Sequence, residues 1–190
     1  MSRRHGWLRF QSTGHPLARR LTDDVVSWQE AIRTDHERWY GPNAPAQVSS
    51  AFVLQYLLQV LAHTAATAAS TGMRVRDLSQ LTFALDEGSV PRLVEIGAVA
   101  AVPGDLDEGL ATAEADYRSV AEALARDYAA THPTSSRQRA GMVADMWLQA
   151  AGAVRSSAGQ VSADEPRRIS CCLIYALPGC SECAGCPRSS

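Results

Sequence analysis

All five cysteines of this 190-residue chain lie within sixteen residues near its C-terminal end, and this clustering constrains the fold more than any other feature of the sequence. The positions are Cys171, Cys172, Cys180, Cys183 and Cys186. A disulfide framework would use an even number of cysteines to close long loops in an oxidising compartment. Thiolates this close together repel one another unless a cation neutralises them, so the pattern favours a zinc or iron-sulfur site.

The composition predicts one soluble domain with a real core. Apolar residues make up 46% of the chain, and the net charge of −2 offers no field for holding nucleic acid. The segment Met1–Phe10 lacks the apolar run of a secretory signal, which leads us to expect a cytoplasmic protein, peripheral at most at the inner face of the membrane. The stretch Ala51–Ala69 is interrupted by polar residues, so we expect no transmembrane segment.

Hydrophobic periodicity predicts four helices and one hairpin. The first helix should begin at Asp23 with Thr22 as its cap, and the second should run from Pro45 or Ser49 to Gly72. Four polar residues of the second helix recur every four positions and should form one stripe that faces water or a pocket: Gln55, Gln59, His63 and Thr67.

The middle of the chain changes to a period of two. Leu81–Leu85 and Leu93–Val99 are predicted to pair as a hairpin across a turn at Asp86–Gly88. Asp105 and Glu108 form a capping signature for the third helix. A fourth helix should span Ser135–Val154, weakened by Gly141 and Gly152.

The order α, α, β, β, α, α predicts an α+β fold: a mainly α-helical single domain with a small β-hairpin and a C-terminal cysteine-rich module. We expect a helical body with a hairpin over residues 1–154, a connector over 155–166 and a metal-binding module over 167–190. Because so short a module cannot bury enough apolar surface, its metal should contribute much of its local order.

The segment RRISCCLIYALPGCSECAGCPR, which starts at Arg167, contains the spacing Cys-Cys-x10-Cys-x2-Cys. Adjacent cysteines can serve one site only if the chain turns there, because neighbouring side chains of an extended strand point to opposite faces. The segment resembles the C-terminal signature of the FhuF-type ferric-siderophore reductase family. The shared features are the basic pair, the paired cysteines, an aromatic residue, the Pro-Gly turn and the final Cys-Pro.

The resemblance implies a [2Fe-2S] cluster bound by Cys171, Cys172, Cys183 and Cys186. It also implies an oxidoreductase that passes one electron to Fe(III) in a siderophore, expected to be of the hydroxamate type, so that Fe(II) is released in the cytoplasm. Electrons would come from another protein, such as a ferredoxin or a flavin reductase. No catalytic residue is expected beyond the cluster ligands.

Several alternatives stay open at this stage. The same cysteines would suit a zinc-stabilised binding module or an iron-sulfur sensor or accessory protein. Cys180 is either a spare thiol or exchanges with Cys183 as a ligand. Arg167 and Arg168 either stabilise an anionic cluster or are simply solvated. On the family resemblance, the body over residues 1–154 would face the siderophore. Trp39, Tyr40 and Trp147 could form a wall for the siderophore or belong to the core. His63 could face the binding surface or be solvated or hydrogen-bonded.

Overall fold

A computed structural model of the chain describes residues 8–160, 167–183 and 185–189. The described part contains four helices: α1 Val26–Tyr40, α2 Gln47–Ser70, α3 Leu106–Asp127 and α4 Ser136–Ser157. It also contains six short strands: β1 Arg9–Gln11, β2 Arg19–Arg20, β3 Met73–Val75, β4 Thr82–Leu85, β5 Pro91–Glu95 and β6 Val99–Ala101. The predicted mainly helical α+β class is confirmed.

The core is built around α2, which packs against α1, α3 and α4. In the described part of the chain α2 is the one helix long and apolar enough to cross a membrane, and 78% of its apolar window is buried inside the protein. Its small residues, such as Ala62, Ala65 and Ala66, let the neighbouring helices approach closely. The apolar character of α2 is therefore explained by its central place in the core.

The predicted start of α3 is confirmed in detail. The Asp105 carboxylate accepts a hydrogen bond from the Glu108 backbone N–H at 3.0 Å, and the Glu108 side chain accepts one in return from the Asp105 N–H. This reciprocal capping box satisfies two N–H groups that a helix start otherwise leaves unpaired. Tyr117, midway along α3, is fully buried and donates a hydrogen bond to the Val143 carbonyl of α4 at 2.8 Å.

The start predicted for α1 is wrong by about one turn. The helix begins at Val26, and the capping acceptor is Asp24, whose carboxylate accepts hydrogen bonds from the N–H groups of Val26 and Ser27. Thr22 lies before this cap and does not serve it. Thr22 and Asp24 are both residue types that cap helices, and the path of the chain places Asp24 at the start of α1.

The hairpin of β4 and β5 is confirmed, although its second strand covers Pro91–Glu95 and ends before the predicted Val99. It is the centre of a four-stranded sheet of order β1-β5-β4-β2, in which β1 runs parallel to β5. The chain beyond Glu95 continues into β6, which pairs with β3 in a separate two-stranded sheet. Strands of two or three residues are too short to show a period of two.

The predicted division into body, connector and cysteine module stays a prediction. Helix α4 extends to Ser157, inside the predicted connector, and residues 161–166 of that connector lie outside the described residues.

Candidate metal centre

The cysteine segment has little regular structure apart from one 3-10 turn, Ile174–Ala176. Directly after Cys172, Leu173 adopts a left-handed backbone conformation with φ of 64°. A leucine in this region costs roughly 1–2 kcal/mol, so the rest of the structure must hold it there. This residue redirects the chain at the paired cysteines, where the sequence required a turn.

The segment then folds back through a tight turn at Pro178 and Gly179. The Cys180 N–H donates a hydrogen bond to the Leu177 carbonyl at 3.0 Å, and Gly179 has a φ of 78°. Proline at the second position and glycine with positive φ at the third are the requirements of a type II turn. The predicted Pro178–Gly179 turn is confirmed.

A second tight turn joins the last two cysteines. The Cys186 N–H donates a hydrogen bond to the Cys183 carbonyl at 3.0 Å, and Gly185 has a φ of 70°. The turn joins two cysteines separated by two residues, which is the spacing of Cys-x2-Cys metal sites.

The two halves of the motif meet through their sulfur atoms. The Sγ atoms of Cys172 and Cys183 are 3.5 Å apart, too far for a disulfide bond of about 2.05 Å. Two thiolates on one tetrahedral metal with bonds of about 2.3 Å would be roughly 3.8 Å apart, close to the observed separation. The Cys171 thiol in turn interacts with the Cys186 thiol. All five cysteines are free.

Burial opposes the ionisation of these thiols as long as no cation is present. Burial raises the pKa of Cys171, and burial together with the neighbouring Cys172 thiol raises the pKa of Cys183 to about 11. Without a cation these thiols therefore keep their protons at neutral pH, whereas metal binding requires thiolates. The Leu173 N–H, which donates to the Cys171 sulfur at 3.4 Å, acts in the opposite direction and favours the thiolate.

Within residues 8–160, 167–183 and 185–189, no three His, Cys, Asp or Glu side chains are placed to hold a single metal ion. The four predicted ligand sulfurs interact as two pairs, Cys172 with Cys183 and Cys171 with Cys186. A [2Fe-2S] cluster takes two terminal ligands on each of two irons, so it needs pairs of sulfurs. The residues present thus fit that group.

Cys180 lies apart from these pairs. Its thiol interacts with the Tyr40 hydroxyl, and it packs at the edge of a small apolar cluster formed by Ala44, Val48 and Leu177. Burial, with the contact to Cys180 as the second cause, raises the pKa of Tyr40. Of the two roles considered for Cys180, this location favours that of a thiol outside the metal site.

A buried aspartate of α4 anchors the start of the cysteine segment. The Asp145 carboxylate accepts hydrogen bonds from the backbone N–H groups of Ile169 at 2.7 Å and Ser170 at 2.8 Å, and another from the Ser170 hydroxyl. Asp145 is 4% exposed, so these bonds form in a site shielded from water, where leaving any partner unpaired is costly. Asp145 was not predicted as a functional residue, although a carboxylate between the apolar residues Val143 and Met146 of α4 is a signal that could have pointed to it.

Gly141, one turn before Asp145, lets the segment approach α4. A Cβ atom at this position would lie 3.0 Å from the Ser170 Cβ and 3.4 Å from the Ile169 Cγ2. The predicted weakening of the helix by this glycine stays a prediction, but the glycine provides the space that the cysteine segment occupies. One turn nearer the start of α4, Gln138 donates a hydrogen bond to the Cys171 carbonyl at 2.9 Å.

The polar stripe of α2 serves two different regions. Gln55 accepts a hydrogen bond from the Arg168 guanidinium at 3.2 Å, and the Gln59 side-chain amide donates one to the Gln149 side chain of α4 at 3.3 Å. His63 and Thr67 line a cavity of about 560 Å³. Since eight helical residues span about 12 Å, this cavity is well separated from the part of α2 that contacts the cysteine segment.

The aromatic residues considered for a siderophore surface do not form one wall. Trp39 is 61% exposed, whereas Trp147 is 4% exposed and stacks on Tyr117 in the core. Tyr175 lies in the 3-10 turn, where the Arg188 guanidinium sits over its ring at 4.4 Å.

The two glycines of α4 provide a matched test of this docking. Gly141→Ala should displace the cysteine segment, whereas Gly152→Ala meets no atom within 4 Å. We expect Gly152→Ala to raise the free energy of unfolding by about 0.5–1 kcal/mol, because alanine reduces the entropy of the unfolded chain. Gly141→Ala should show no such increase, because its Cβ atom collides with the cysteine segment. Gly141→Ala should also release its bound metal faster to a chelator. Equal unfolding energies and equal metal release in the two variants would contradict the docking geometry.

Comparison with known proteins agrees with the geometry of the segment. Residues 168–188 match the family described as FhuF 2Fe-2S C-terminal domain. No curated protein and no solved structure matches the chain significantly. The match covers the paired cysteines, the turn at Gly179 and the Cys-x2-Cys turn. The C-terminal segment of this chain is therefore a FhuF-type 2Fe-2S domain, and its cofactor is a [2Fe-2S] cluster.

Proposed function

We propose that Cys171, Cys172, Cys183 and Cys186 bind the cluster and that the protein is a ferric-siderophore reductase. It transfers one electron to Fe(III) in a siderophore and so releases Fe(II) in the cytoplasm. The observation that carries the proposal is the contact of Cys172 with Cys183 and of Cys171 with Cys186 across two parts of a FhuF-type domain, with Cys180 directed toward Tyr40 instead.

The exposure of the cysteines supports electron transfer to a large chelate. Cys172 and Cys186 are 4% and 2% exposed, while Cys171 and Cys183 are partly exposed. Two sulfurs are therefore held against the protein and two reach the surface. A siderophore too large for a narrow pocket could approach this edge without entering the body.

The energetics explain why a low-potential donor is needed. Each tenfold preference of the chelator for ferric over ferrous iron lowers the potential of the iron by about 59 mV. When bound by four cysteines, a [2Fe-2S] cluster supplies one electron at about −400 mV, well below clusters with two histidine ligands. The chain's part is to supply thiolates alone as ligands, because the proposed set consists of four cysteines.

Reduction needs an electron from outside the chain. The Fe(III) of the siderophore gains one electron and becomes Fe(II), and the protein must then be reduced again by a donor such as a ferredoxin or a flavin reductase. Arg167 and Arg188 are exposed next to the cysteines, and Glu182 pairs with Arg188 at 4.0 Å, so the exposed charges of the segment carry a small positive excess. That charge would favour an acidic donor protein.

Single Cys→Ser variants test the ligand set. We expect the visible absorption of the purified protein to be lost in Cys171→Ser, Cys172→Ser, Cys183→Ser and Cys186→Ser, because each removes one of four terminal ligands. Cys180→Ser is the matched control, and its spectrum should equal that of the wild type. A colourless Cys180→Ser together with a fully coloured Cys183→Ser would overturn the assignment.

A reduction assay tests the activity. The protein, reduced chemically and freed of excess reductant, is mixed with a ferric hydroxamate siderophore and a chelator that turns coloured on binding Fe(II). We expect Fe(II) to appear at least about tenfold faster than with the same equivalents of small-molecule reductant alone, and Cys180→Ser to match the wild type. A cluster-loaded protein that gives no acceleration is not a reductase, and the sensor or accessory role would then replace it.

A further inference from the structure

Arg168 stands out among the cations of the cysteine segment because its side chain is only 16% exposed. Its backbone N–H donates a hydrogen bond to the Gly185 carbonyl at 2.9 Å, inside the turn between Cys183 and Cys186. Arg168 is also three residues before Cys171 in the chain. Arg168 is thus linked through the chain to Cys171 and Cys172, and through a backbone hydrogen bond to the turn that contains Cys183 and Cys186.

Two residues of the body hold the guanidinium in place. Its Nε lies 3.5 Å from the Asp145 carboxylate, and a terminal nitrogen donates to Gln55 at 3.2 Å. Asp145 belongs to α4 and Gln55 to α2, so the contacts come from two packed helices. The Arg168 Nε makes no hydrogen bond with any described residue, so the guanidinium is held by its hydrogen bond to Gln55 and by its charge attraction to Asp145.

The neighbouring Arg167 differs from Arg168 in its exposure and in the partners of its guanidinium. It is exposed, and its guanidinium donates hydrogen bonds to the carbonyl groups of Pro187 and Ser189. Water and salt screen an exposed charge far more than a buried one. The adjacent arginines thus provide one partly buried and one exposed cation next to the same cysteines.

Buried charge acts on a redox centre in a defined direction. Reduction adds a negative charge to the cluster, so a fixed cation nearby stabilises the reduced state and raises the reduction potential. A fixed anion has the opposite effect. The Arg168 charge is close enough to the Cys183 sulfur to act on it electrostatically.

We propose that Arg168 raises the reduction potential of the cluster and that Asp145 is a positioning residue that fixes Arg168 and balances its charge. The proposal rests on the ligand set proposed above but not on the identity of the substrate. Under this proposal, residues of helices α2 and α4 in the body influence the reduction potential of the cluster through their contacts with Arg168.

The test measures the midpoint potential of the cluster-loaded protein by a redox titration followed by EPR and visible absorption. Arg168→Gln removes a cation and leaves the Asp145 carboxylate uncompensated, so its midpoint should become more negative. Asp145→Asn leaves the Arg168 cation uncompensated, so its midpoint should become more positive. We expect each change to be at least about tenfold in the equilibrium constant for reduction, which is about 59 mV for one electron.

Arg167→Gln is the matched control and should shift the midpoint much less, with the remaining shift abolished by high salt. Shifts of Arg168→Gln and Asp145→Asn in the same direction would overturn the proposal, since mere disturbance of the site has no reason to change sign. An Arg168→Gln shift no larger than that of Arg167→Gln would overturn it as well.

Gln55→Glu keeps the test decisive if the other variants do not load the cluster. This substitution places a carboxylate beside the Arg168 guanidinium at a partly exposed position and preserves the size of the side chain. Its midpoint should become more negative, and an unchanged or more positive value would contradict the proposal. Because the titration uses no siderophore, failure of the reductase assay would leave this result unaffected, and the Cys→Ser spectra test the ligand set separately.

Discussion

The docking of the cysteine segment on the body depends on one buried carboxylate. Asp145 of α4 binds two successive backbone N–H groups, those of Ile169 and Ser170, immediately before the paired cysteines. A segment of about twenty residues has too little apolar surface to fold alone, so its position must come from such contacts and from its metal. Gly141 completes this anchor by leaving room for the segment against the helix.

The four proposed ligand thiols differ in their exposure to solvent. Cys172 and Cys186 face the protein, and Cys171 and Cys183 reach toward the surface, so the proposed cluster would be held on one side and accessible on the other. Cys180 is taken out of the group by its contact with Tyr40. An electron carrier that acts on a bulky chelate needs this combination of a fixed ligand set and an open edge.

Much of the fold could be predicted from local sequence patterns, because the interactions behind these patterns form between residues that are close together in the sequence. The capping box at Asp105 and the Pro178–Gly179 turn are set by neighbouring residues, and both occur as expected. The strands β1, β2, β3 and β6 could not be predicted, because two or three residues show no periodicity. Asp145 was missed for another reason: its partners lie more than twenty residues away, and only the tertiary structure brings them together.

The central claim is that the clustered cysteines of this chain hold two irons, and chemical analysis of the native protein tests it most directly. Iron, zinc, acid-labile sulfide and free thiols would be quantified in protein purified without oxygen. The account predicts two irons and two sulfides per chain, with no stoichiometric zinc. One zinc per chain without sulfide, or cysteines linked to one another as disulfides, would contradict it.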